Sequence, residues 1–273
     1  MIFLFLDKGN LMPITKEQRD KFANESAIIQ GQINQILEEI KKIEASIPEK
    51  EEFEIPYIQF TICEKLLDII ELYLKIHDTH MKIIGLKHEN SLDEARKKIM
   101  EIFIRIESLT SNIIDLELSE VVKKQKTFAL YKDAQRLEFI QRAFYLIDRI
   151  EKGYGENSKW IPTFVDIRAR ATVVAKNLLD YIALRSKNDP REEGFNERRK
   201  LREIVEQRLI QSAKEYRERY EISGHNKDDA KKALDFLRAL ARMYIAENKR
   251  VELEKIKKTI QTWSEKFKKD QEK

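Results

Sequence analysis

The chain has 273 residues and a net charge of +4; 37% of its residues are charged, 42% are apolar, and it has only seven glycines and five prolines. So few turn formers imply few turns and long elements, and charges of mixed sign set among regularly placed apolar residues exclude a disordered chain. The single cysteine, Cys63, rules out an internal disulfide, which fits a cytoplasmic protein.

The apolar start Ile2-Phe3-Leu4-Phe5-Leu6 is broken by Asp7 and lacks basic residues before it. It is too short for a signal-peptide core or a bilayer span. Met12 offers an alternative start, in which case residues 1–11 are not translated. No other segment approaches 18 uncharged apolar residues, so no membrane span is expected.

Thr15 is placed to cap a first helix over about 16–46. Isoleucine recurs at 29, 33, 36, 40, 43 and 47 in steps of four and three. That 3.5-residue period makes a narrow seam, the mark of a helix packed lengthwise on another, as in a coiled-coil arm. Pro48 ends it, and Pro56 sits where it can open the next helix. This second helix, about 57–87, carries two adjacent stripes. One includes Ile62, Leu66, Ile69, Tyr73 and Ile76, the other Cys63, Leu67, Ile70, Leu74 and His77. A face that wide touches two neighbours, so the helix is expected at the centre.

Ser91 with Glu94 reads as a capping box for a third helix over about 92–118. Its seam is Leu92, Ala95, Ile99, Ile102, Ile106, Leu109, Ile113 and Leu116. The polar stretch 119–127 fits a turn or continuous helix equally. A fourth helix, about 128–152, buries Leu137, Ile140, Phe144 and Ile147. Gly153-Tyr154-Gly155-Glu156-Asn157-Ser158 is the clearest break in the chain. Pro162 then opens a fifth helix, about 162–186, and Asn188-Asp189-Pro190 breaks the chain again. A sixth helix runs to about Tyr220, Ser223-Gly224-His225-Asn226 forms a turn, and one or two more helices end on the seam Leu253, Ile256, Ile260, Trp263 and Phe267.

No alternating strand pattern outcompetes the helical period. No fixed-period self-similarity is present, and the helices are twice too long for tetratricopeptide repeats. The expected fold is therefore all-α: a bundle of six to eight long, mainly antiparallel helices with coiled-coil-like packing. Residues 157–273 hold 29 basic and 20 acidic residues, a net +9, against 23 and 28 in 1–156, a net −5. The chain thus divides softly into an acidic N-terminal bundle, 1–152, and a basic C-terminal region, 153–273, packed as one assembly. The asymmetry suits an acidic partner or head-to-tail self-association, although solvated faces on each half explain it more simply.

Catalytic signatures are missing. There is no P-loop, no Rossmann turn, no nucleophile elbow and no H-E-x-x-H. A ferritin-like centre needs Glu three residues before a histidine. The four histidines have Leu74, His77, Gly85 and Ile222 there. Cys63 sits mid-stripe and reads as a buried structural thiol. His77 and His80, three apart, supply at most half of a zinc shell and read better as partly buried, hydrogen-bonded residues. No cofactor, metal site or catalytic residue is assigned.

The favoured reading is a non-enzymatic, cytoplasmic scaffold or adaptor that binds another protein or a second copy of itself. Its candidate contacts are the ridge Ile29, Ile33, Ile36, Ile40 and Ile43, and the loop aromatics Tyr154 and Trp160. Tyr216, Tyr220 and Tyr244, at helical spacing, read as core. The first alternative is nucleic-acid or polyanion binding by Arg198, Arg199, Lys200 and Arg202. Interleaved Glu197, Glu203 and Glu206 weaken it, because such i,i+4 pairs are ordinary helix-surface support. The second alternative is a metal or small molecule held within the bundle.

Overall fold

A computed structural model describes residues 14–187 and 189–272, so the expectations about residues 1–11 and Met12 lie outside the described residues. Among the described residues there are ten α-helices and no strands. Eight are long: α1 (Lys16–Ser46), α2 (Ile55–Ile84), α3 (Glu89–Thr110), α5 (Asp133–Tyr154), α6 (Ile161–Leu178), α8 (Phe195–Ile222), α9 (Lys227–Ala246) and α10 (Arg250–Gln271). Two are short, α4 (Leu118–Gln125) and α7 (Tyr181–Ser186).

Local chemistry sets several boundaries. The Thr15 hydroxyl accepts the Gln18 N–H at 3.1 Å while the Gln18 side chain accepts the Thr15 N–H at 2.9 Å, a reciprocal cap on α1. Pro56 and Pro162 lie in the first turns of α2 and α6. The start of α3 departs from the expected capping box. Its N-cap is His88, whose ring accepts the Ser91 N–H at 3.3 Å, and Ser91 is buried inside the first turn. Its end departs too. The helix stops at Thr110, Ser111 turns to φ 105°, and Ile113 leaves the seam to stand 54% exposed.

The fifth expected helix is split. The chain leaves helical geometry at Leu179, with no glycine or proline there, and restarts as α7 under an Asp180 cap. The freed carbonyls are satisfied from elsewhere in the molecule. Buried Gln125 donates to Asn177 O at 2.8 Å and Leu179 O at 2.7 Å, and buried Arg136 donates to Leu178 O at 2.9 Å. A buried carbonyl without a partner costs about 1–3 kcal/mol, so these two side chains permit the break.

The register of side-chain pairs fixes directions. Gln18 reaches Ile83, and Lys65 reaches Glu39, so α1 runs antiparallel to α2. Arg105 with Gln59 and His88 with His77 set α3 antiparallel to α2. Arg168 with Glu215 and Arg219 with Asp166 do the same for α6 and α8. The pairs Arg142–Glu71 and Arg149–Asp78 run in one sense, so α2 and α5 lie parallel. Helix α2 is central, as its wide apolar face predicts, and touches three long helices, α1, α3 and α5, rather than the expected two, whereas α1 leans on α2 and α10 on α9 at the two margins. Nearly all the buried apolar residues form one contiguous core drawn from every long helix.

Candidate docking groove and the placement of the sequence candidates

The isoleucine ridge is covered by its own chain. Ile29, Ile33 and Ile40 are buried and Ile36 and Ile43 half-buried, all in the core where α1 packs on α2. Each fully buried isoleucine contributes about 1.5–3 kcal/mol, which makes the seam a structural one. Arg105 of α3 ties its end, meeting Glu44 at 2.5 Å, Glu101 at 3.0 Å and Gln59 at 3.2 Å.

Tyr154 is likewise no free anchor. It is 3% exposed, and its hydroxyl donates to Asp93 at 2.5 Å. Trp160 is half-buried, with the Arg96 guanidinium 3.9 Å from the ring centre. Tyr216, Tyr220 and Tyr244 are core, as expected.

The basic cluster is divided by ion pairing. Arg198 is 2% exposed; its guanidinium donates to Asp133 at 2.6 Å and to the Glu193 and Lys187 carbonyls. Arg202 is committed to Glu206 and to Glu247, the latter at 2.7 Å. Only Arg199 and Lys200 face solvent. Of the four cations proposed for polyanion binding, two are thus held in internal ion pairs and two are left to solvent.

Around Arg198 lies a pocket of about 380 Å³ between α5, α7 and the start of α8. Its guanidiniums already have work. Arg198 joins Asp133, and Arg136 serves the carbonyls of Tyr131 and Leu178. Gly194 seals it at φ 78°, and a Cβ there would come within 2.5 Å of the Asp133 carboxylate. This pocket is a structural corner.

Cys63 is fully buried, and burial pushes its thiol well above the ordinary range. No group of three His, Cys, Asp or Glu side chains among the described residues is placed to hold a metal ion. His77 is buried and accepts the His88 N–H at 3.3 Å, and the His80 ring bonds the Leu86 carbonyl at 2.6 Å. No helix among the described residues is long and apolar enough to cross a membrane.

A further surface feature is open to solvent. Between the 50–57 connection, the end of α3 and the segment 124–130 runs a groove of about 950 Å³. Its lining includes Phe53, Ile55, Pro56, Leu109 and Leu130. Phe53 is 67% and Leu130 70% exposed. The reason is local. Phe128 and Tyr131 turn inward onto Phe60, the latter stacked at 3.9 Å, and the Tyr57 hydroxyl accepts the Leu130 N–H at 3.1 Å. Leu130, caught between two inward anchors, is turned out. Glu51 and Glu52 border one part of the groove, Lys124 and Lys126 another. Apolar side chains flanked by charges of both signs make this groove a candidate docking surface. Sequence reasoning missed it because neither Phe53 nor Leu130 belongs to a periodic stripe.

No curated protein matches the chain. The TP0443 family model matches residues 18–271, nearly its whole length. The chain belongs to the TP0443 family.

Proposed function

We propose that the protein is a non-enzymatic, cytoplasmic helical scaffold that binds another protein through the Phe53–Leu130 groove. The observation that carries this reading is the joint exposure of those two large apolar side chains in one groove with charged margins. Scattered exposed apolar residues need no explanation, but two that line the same depression do. The rigid bundle supplies a fixed platform, and the groove supplies room for one or two large side chains of a partner segment, with charges to set its register.

The test places a photo-crosslinking residue at Leu130 in the full chain and pairs it with the double variant Phe53→Asp, Leu130→Asp. Both side chains are exposed, so the aspartates leave the fold intact by circular dichroism. A defined protein adduct at position 130, with the corresponding complex lost in the double variant, is the expected result. A monomer by light scattering whose crosslinker captures no protein overturns the proposal.

A further inference from the structure

Three of the four histidines meet at one corner, where α2 ends, α3 begins and α1 passes over both. The His80 and His88 ring centres lie 4.9 Å apart. Phe22 of α1 packs on both, at 4.7 Å from His80 and 5.4 Å from His88. His77, one turn before His80, completes the group through its bond to His88.

Two of these rings act as hydrogen-bond acceptors. His77 Nδ1 accepts the His88 N–H, and His88 Nδ1 accepts the Ser91 N–H as the N-cap of α3. An imidazole accepts at Nδ1 only while that nitrogen is unprotonated. Adding a proton there converts each acceptor into a donor facing a donor. It also puts positive charge at the N-terminus of α3, where the helix dipole is already positive.

The surroundings offer little compensation. The His88 backbone and, on α2, Asp78 both favour the charged form of His77, but burial outweighs them, and Asp78 is itself paired at 2.6 Å with Arg149 of α5, which opposes it. The Lys87 amine, in the connection, is turned to the Tyr154 carbonyl at 2.6 Å. Helix α1 sets Phe22 against the rings and Gln18 on the nearby Ile83 carbonyl, both neutral, and Gly153 of α5 faces His77 Nε2. Among the described residues, the charges that act on His88 are those of the other two imidazoles, and they oppose its protonation.

The start of α1 depends on this corner. From Lys16 to Ile28 only Gln18, Phe22 and Ser26 are partly buried. Among the described residues, Gln18's bond to the Ile83 carbonyl and Phe22, which packs on the two rings and on the margin of the apolar core, hold these turns.

We propose that the His77–His80–His88 corner is an acid-sensitive latch, in which protonation uncaps α3 and frees the first three turns of α1 while the rest of the bundle stays folded. Burial holds His77 and His88 below the ordinary value of 6.5, and the neighbouring imidazoles push the same way. The open form therefore binds protons more tightly than the latched form. The latch is at full strength above pH 6.5 and weakens as pH falls through that value and below.

Hydrogen exchange on the full chain, corrected for the intrinsic pH dependence, tests this. Between pH 7.5 and 5.5, protection of residues 16–28 and 88–92 is expected to fall about tenfold or more, while α6 and α8 keep theirs. Phe22→Ala should expose residues 16–28 already at pH 7.5. His88→Asn keeps a capping side chain without a titratable ring, and in combination with His77→Gln it should make protection independent of pH. Wild-type protection that does not change between the two pH values overturns the proposal, whatever the variants do. So does a folded double variant that loses protection in acid as the wild type does.

Discussion

Lys176 of α6 offers the sharpest quantitative test of the packing. The residue is 3% exposed and has no carboxylate within ion-pairing distance among the described residues. Burial lowers its amine from 10.5 to about 8; Asp115 pulls it back up, and Arg242, which is bound to Asp115, pushes it down. At about 1.4 kcal/mol per pH unit, carrying that charge into the core costs about 3 kcal/mol. Lys176→Met keeps the length of the chain and removes the charge, so it should stabilise the protein by about 2–3 kcal/mol at pH 7. For a protein of this size that is a rise of about 5–10 °C in Tm.

The pH dependence is more discriminating than the size. Below pH 8 the amine is charged in both folded and unfolded chains, and the cost is present in full. Between pH 8 and 10.5 the unfolded chain holds the proton and the folded one releases it, so wild-type stability gains on the variant as pH rises. The buried tyrosines, such as Tyr181 and Tyr216, titrate late in both proteins and cancel in the difference. Urea unfolding at pH 7, 8.5 and 10 should therefore show a gap between variant and wild type that is largest at pH 7 and mostly closed at pH 10. A variant no more stable than wild type at pH 7, or a gap that does not change with pH, refutes the argument that Lys176 is a buried, uncompensated charge.

Arg198→Met should cost about 3–5 kcal/mol in urea unfolding, because it leaves Asp133 and two carbonyls without their donor. Its neighbour Arg199→Met, on the solvent side, should change stability by no more than about 0.5 kcal/mol; equal effects at the two positions would contradict the division of the basic cluster. Cys63, fully buried and with its thiol raised, should react with a thiol reagent only as fast as the core opens. Complete labelling within minutes in native buffer would show that α2 is less tightly covered than the packing implies.

Much of the bundle is written locally in the chain. The stripes on α2 and α3, the reciprocal cap of Thr15 with Gln18, and the prolines opening α2 and α6 each act within one or two turns, so spacing alone reveals them. The groove is legible only in part: Pro56 marks its helix start, but nothing periodic marks Phe53 or Leu130. Partnerships across long stretches of chain escape a local reading altogether. Arg198 looks like part of a solvent-facing basic run until Asp133, 65 residues away, is seen beside it. His88 looks like a loop residue rather than the cap of α3. The helix over 162–186 reads as continuous because the groups that permit its break, Gln125 and Arg136, lie on other elements. The Ile29–Ile43 ridge fits its own chain and a second subunit equally well until α2 is found against it. Sequence by itself determined which faces must be buried, since side-chain period is a property of one helix. Tertiary structure alone decided what buries them and which charges are spent inside, because those energies depend on distances between residues far apart in the chain.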